Sequence, residues 1–288
     1  MTQHYVFRHE SCGSVLTIDM VSSNDPTQLV QDCFLLCDAF EQRYSRFIPW
    51  NWLDTINNTQ EQSISIDSEA EMLIRFSLEL AEKTHGKFDP TIIRTLESYG
   101  YDKEYSFQRK AGGTTWYQHI DLHEHTLILH HGVKLEFGAV GKGYLLDLVA
   151  HELISAGYTH FLLDFGGDMI GYGGYEIGLE NPFDLSQVIG TINLDGFAIA
   201  SSNGMKRKVG EFHHLLDPHT GLPVRDIAWV YIAAQTGLIA DAYSTAVFVS
   251  WAEKGQLLLA NTPEISGAIV FSDGSFWQKD GYPGSFFS

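Results

Sequence analysis

Apolar residues recur along this chain at two periods. At helical spacing, Leu29, Cys33, Leu36, Cys37, Phe40 and Tyr44 mark one face of a stretch opened by Asp25-Pro26, predicting a helix over 26–44. A second helix is predicted over 68–85, ended near Gly86. A third opens at Gly141 to Gly143, repeats through Leu145, Leu148, Val149 and Leu153, and stops at Gly157. A fourth is predicted over 238–253. Alternation of apolar and polar residues predicts strands at 5–8, 14–20, 192–200, 212–217 and 227–235, hairpin-like strands over 115–138, and a closing hairpin over 268–279. The stretch from Lys134 to Phe165 reads as strand, helix and strand, with a right-handed connection if the strands are parallel. The class is therefore α+β: a central mixed sheet with flanking helices. No linker interrupts residues 1–288, so they form one large domain, or two intimately packed halves.

Composition narrows the partners. The 288 residues carry 18 basic and 36 acidic side chains, a net charge of −18, which repels nucleic acid and anionic lipid over most of the surface. No run of about 18 apolar residues exists, and the start MTQHYVFRHE lacks the regions of a secretion signal. Taken as written, the chain reads as soluble and cytoplasmic, with no direct membrane insertion. Cys33 and Cys37 fall on the apolar face of the first helix and read as reduced core residues. His119, His123, His125, His130 and His131 cluster where hairpin turns are predicted, which favours exposed turn histidines over a zinc site.

The most informative stretch is LEFGAVGKGYLLD, from Leu135 to Asp147. Three glycines surround Lys142 at the start of a predicted helix. Unpaired first-turn amides, the positive end of the helix dipole and the lysine ammonium together favour a phosphate or carboxylate there. The plainer reading is a tight glycine turn with a solvated lysine. The spacing matches neither a P-loop nor a dinucleotide-binding G-x-G-x-x-G turn.

Four other segments carry unusual chemistry. In Gly86 to Thr91, Asp89 is placed to cap the next helix. Asp164-Phe165-Gly166-Gly167-Asp168 sets paired glycines between carboxylates at a strand end. In HHLLDPHTG, His213 and His214 must point to opposite faces of a strand, so only one can enter a given cleft, where a neutral imidazole can serve as a base. In ADAYST, Asp241 and Thr245 lie four apart on one helical face, an oxygen pair suited to magnesium.

Together these blocks resemble the ApbE-type flavin transferase family. The resemblance runs in order through Cys12-Gly13-Ser14, Tyr44-Ser45-Arg46-Phe47, GKFDPT, LEFGAVGKGYLLD, FGGDMIGYGG, GLENP, SSNG, HHLLDPHTG and ADAYST. It implies a T-fold-like α+β domain and a magnesium-dependent enzyme that moves FMN from FAD onto a threonine or serine hydroxyl of an acceptor flavoprotein or redox subunit, releasing AMP. By the same resemblance, magnesium is held by the Ala139 carbonyl, Asp241 and Thr245, with Ser244 nearby. FAD contacts fall at Cys12, Phe47, Lys87, Phe88, Asp89, Glu136, Lys142 and Leu216. His214 is the candidate base with Asp217 as its orienting partner, and Lys142 stabilises the phosphate oxygens. Two positions depart from the family pattern: Cys12 where methionine is usual, and Glu136 where aspartate is usual. Water in place of the acceptor would give an FAD pyrophosphatase yielding FMN and AMP. A flavin-binding protein without turnover is the third reading.

Overall fold

A computed structural model describes residues 1–101, 106, 116–204, 208–209 and 212–287. Residue 115, where the expected hairpin region begins, lies outside the described residues. Among them are seven α-helices: α1 (Thr27–Tyr44), α2 (Trp52–Asn58), α3 (Ser68–Lys83), α4 (Ile93–Ser98), α5 (Gly141–Ser155), α6 (Gly237–Val249) and α7 (Ala252–Ala260). The two long amphipathic helices fall within two residues of expectation, because their apolar stripes are uninterrupted.

An eight-stranded sheet organises the molecule. Its strands run, edge to edge, Gln3–Ser11, Ser14–Ser22, Phe161–Phe165, Asp168–Tyr172, Phe197–Asn203, Ile227–Ala234, Ile265–Phe271 and Phe276–Gln278. Every neighbouring pair is antiparallel, so the sheet is not mixed as expected. The reason lies at residues 134–137, which form no strand. Leu135 exchanges two hydrogen bonds with the side chain of Asn57 (2.7 and 2.8 Å), and the Glu136 amide donates to the Pro90 carbonyl (2.9 Å), so no ladder can form there. With no strand before α5 there is no parallel crossover. The first hairpin turns at Cys12 and Gly13, both at positive φ (52° and 66°), the pattern of a two-residue type I′ turn.

Period-2 alternation places the two cores. On Ile227–Ala234, Val230, Ile232 and Ala234 face the helices, while Trp229, Tyr231 and Ala233 face the opposite side. That side is covered by a three-stranded sheet of Tyr175–Asn181, Asp184–Leu194 and Gly284–Phe286. The expected strand over 192–200 is two strands, turned at Asp195-Gly196, where Gly196 has φ +78°. α6 is buried on nearly all sides and packs against α5 and the sheet. The helix expected over 238–253 breaks at Trp251, whose φ of 65° turns the chain into α7. Cys33 and Cys37 are buried free thiols in the main core.

Candidate functional site

The site is built where α5 and α6 touch. A Cβ added at Gly143 would lie 2.1 Å from the Gly237 carbonyl oxygen and 2.7 Å from the Asp241 Cβ, and one at Gly237 would lie 2.4 Å from the Gly143 carbonyl oxygen. Only glycines allow this approach, and they let each helix satisfy the other's start. The Gly143 amide, in the first turn of α5, donates to Asp241 Oδ2 on α6 (3.0 Å). In return, Asp147 on α5 accepts from the Gly237 and Leu238 amides at the start of α6 (2.6 and 2.9 Å). Burial pushes the Asp147 carboxyl up to about 6, with the two amides opposing the rise.

These bonds correct one sequence expectation. Three first-turn amides of α5 are not open to an anion: Gly141 donates to the Phe137 carbonyl, Tyr144 to the Val140 carbonyl, and Gly143 to Asp241. Lys142 supplies the charge instead. Its Nζ is in hydrogen-bond contact with Asp168 Oδ2 and stands 3.4 Å from each Asp241 oxygen. Both carboxylates are buried, and Asp168 Oδ1 also accepts from the Ser201 amide (3.1 Å). Burial pushes the Asp168 carboxyl upward, the Lys142 ammonium pulls it down, and Asp241 adds to the rise. Two carboxylates around one ammonium leave a net negative charge at this point.

A cavity of about 750 Å³ opens in front of this cluster, within the range of small-molecule sites. Cys12, Phe47, Lys87, Phe88, Asp89, Glu136, Ala139, Lys142, His214, Leu216, Asp241 and Thr245 all line it. Twelve residues drawn from six separate sequence blocks thus meet on one surface. Burial pushes the Cys12 thiol up to about 11, so it presents a neutral packing group. Asp89 is committed to local structure: it accepts from the Thr91 amide and hydroxyl (2.8 and 2.7 Å) and the Tyr117 amide (3.2 Å), one turn ahead of α4. Of the two adjacent histidines, His214 lines the cavity, while His213 turns inward with Nε2 2.8 Å from the Val224 carbonyl.

Two expected site residues lie behind the wall. Asp217 does not orient His214; its carboxylate accepts from Lys87 Nζ (2.7 Å), Trp251 Nε1 (2.9 Å) and the His219 amide (3.0 Å). Burial works against its ionisation, but these donors outweigh burial and hold the carboxyl below the usual range. Its work is to fix Lys87. Ser244 is fully buried; its hydroxyl donates to the Asp241 carbonyl (2.9 Å) and meets the Ser202 hydroxyl (2.8 Å), so it does not face the cavity.

Sequence reasoning gave no role to two residues that the fold brings here. Asp168 was visible only as the end of DFGGD, since its partner lies 26 residues away. Arg46 lies against the Phe47 and Tyr101 rings (4.2 and 4.9 Å to their centroids) with its Nε 3.6 Å from Glu136. The motif Ser-Arg-Phe was the one available signal.

The sequence profile of the ApbE family matches residues 12–269. The chain belongs to the ApbE family. ApbE relatives named FAD:protein FMN transferase include one from Klebsiella pneumoniae, 30% identical over 145 residues, and one from Rhodobacter capsulatus, 24% identical over 298 residues. Those alignments cover 48% and 95% of this chain but 46% and 55% of the relatives, so it spans about half their length. The ApbE protein of Thermotoga maritima has the same fold, with a TM-score of 0.89, 26% identity, and coverage of 96% of this chain and 97% of that one. The Vibrio cholerae flavin transferase ApbE superposes with a TM-score of 0.88 at 18% identity, covering 98% and 99%, a likeness of fold. Among the described residues of this ApbE chain, no helix is long and apolar enough to cross a membrane.

Proposed function

We propose that this chain transfers FMN from FAD to a threonine or serine hydroxyl of an acceptor flavoprotein or redox subunit and releases AMP, with magnesium required. The observation that carries the reading is the convergence of Ala139, Lys142, Asp241 and Thr245 on one wall of a cavity that His214 also lines. FAD as the donor and a protein as the acceptor are what the relatives' names state of them.

The oxygen set fits a hard divalent cation. Asp241 offers a carboxylate, Thr245 a hydroxyl and Ala139 a backbone carbonyl, and the negative balance around Lys142 leaves charge for a second cation to neutralise. Magnesium bound by Ala139, Asp241 and Thr245 would act as a Lewis acid on the pyrophosphate. The chain's own residues do the rest. Phe47, Phe88 and Leu216 give FAD apolar walls, and Lys87, fixed by Asp217, and Lys142, fixed by Asp168, present ammonium groups to its phosphates. His214 takes the proton of the acceptor hydroxyl as that oxygen bonds to the FMN-side phosphorus and the phosphorus–oxygen bond to AMP breaks.

The test is incubation with FAD and magnesium, with and without an acceptor protein, following AMP release and acceptor mass. AMP formed together with FMN-modified acceptor is the expected result. AMP without modification would make the protein an FAD pyrophosphatase, and tight FAD binding without AMP would make it a flavin-binding protein.

A further inference from the structure

Three hydroxyls meet between α6 and the strand Phe197–Asn203. Ser202 Oγ lies 2.8 Å from Ser244 Oγ and 3.4 Å from Thr245 Oγ1, and Ser244 Oγ donates to the Asp241 carbonyl at 2.9 Å. A hydroxyl has one proton and accepts through its lone pairs. The Ser244 proton is committed to the Asp241 carbonyl, so Ser244 can only accept from Ser202. The Ser202 proton is then committed to Ser244, so Ser202 can only accept from Thr245. A helical threonine often turns its hydroxyl back onto the carbonyl four residues earlier, here that of Asp241, but Ser244 takes that carbonyl.

From this count we infer that Ser244 and Ser202 are positioning residues that fix the direction of the Thr245 hydroxyl. The proton of Thr245 points to Ser202, its neighbour in the cavity lining, and its lone pairs are left for the cavity beside Asp241. Thr245 is thereby preset as an acceptor for a cation and cannot present a proton to it. Ser244, fully buried, acts through the chain of hydroxyls without touching the cation. The inference rests on the divalent-cation reading proposed above.

Removing a group that orients a metal ligand costs about tenfold in affinity or more. In Ser244→Ala, the Ser202 proton loses its acceptor and can turn to Thr245, reversing the threonine hydroxyl. The probe is manganese(II), titrated into the protein without FAD and followed by electron paramagnetic resonance, with magnesium as competitor. Ser244→Ala is expected to bind manganese about tenfold more weakly than the wild type, with FAD affinity within about twofold. In a Thr245→Val background, where no hydroxyl remains to orient, adding Ser244→Ala is expected to cost nothing further. A melting temperature for each variant separates folding from binding. Equal manganese affinity in Ser244→Ala and wild type would overturn the inference, as would a loss that persists in full beside Thr245→Val. A wild type that binds no divalent cation would overturn the cation reading itself, and this inference with it.

Discussion

Lys142 stands between two carboxylates that hold it unequally. Asp168 makes the close contact and spends its other oxygen on the Ser201 amide, whereas Asp241 faces the ammonium at 3.4 Å through both oxygens. Asp168 therefore anchors the lysine, so that Asp241, which also accepts from the Gly143 amide, keeps acceptor capacity for the proposed second cation. In Asp168→Asn, Lys142 should settle onto Asp241 and compete with magnesium. The concentration of magnesium giving half-maximal AMP release is expected to rise about tenfold or more while FAD affinity changes little, as read from a magnesium titration of rate beside flavin fluorescence. An unchanged magnesium requirement would remove Asp168 from this role. Glu136 shows a similar accommodation. Its carboxylate folds back over Gly138, where a Cβ would stand 3.2 Å from its Oε2, and pairs with Arg46. The longer arm is thus absorbed locally. The chemistry of these residues was legible in their blocks, but their pairings were not, because Lys142 and Asp241 are 99 residues apart.

The element that assembles the site is the α5–α6 crossing. Gly143 and Gly237 lie so close that any side chain at either would strike backbone, which has no rotamer to move. Gly143→Ala is expected to cost about 3 kcal/mol, lowering the melting temperature by roughly 5–10 °C, and to abolish AMP release by separating Asp241 from Lys142. A variant that melts with the wild type would contradict the crossing. A second element-scale test concerns the histidine hairpin Ile120–Leu129. It turns at Glu124 and His125, both at positive φ, and His130 just after it bonds Glu61 (2.5 Å) and Asp121 (3.0 Å). These carboxylates hold the imidazole above its ordinary 6.5. A raised folded-state value means the stabilisation is full below pH 6.5 and is lost as pH climbs through the folded value. The melting temperature of the wild type should exceed that of His130→Gln more at pH 6 than at pH 8.5; the reverse order would refute the pairing. Long periodic helices and this turn were readable from sequence. The break at Trp251 was not, since tryptophan gives no signal for positive φ.

At the scale of the molecule, one antiparallel sheet carries a helical layer on one face and a three-stranded sheet on the other, and the cavity opens on the helical side. The α+β class and the ordered blocks were legible because local patterning and short motifs survive in sequence. The antiparallel sense was not, because residues 134–137 look like a strand and are held by Asn57 and Pro90 instead of a ladder. The same fold reconciles a net charge of −18 with the proposed pyrophosphate: among the described residues, the cavity-lining cations Arg46, Lys87 and Lys142 are each fixed in place by a carboxylate. If the α5–α6 junction is where flavin transfer occurs, covalent flavin on an acceptor protein, read as in-gel fluorescence after incubation with FAD and magnesium, depends on Asp241. Wild type is expected to label the acceptor. Asp241→Ala, folded and still binding FAD, is expected to reduce labelling by at least about a hundredfold. Labelling by Asp241→Ala at the wild-type rate would mean that transfer does not occur at this junction.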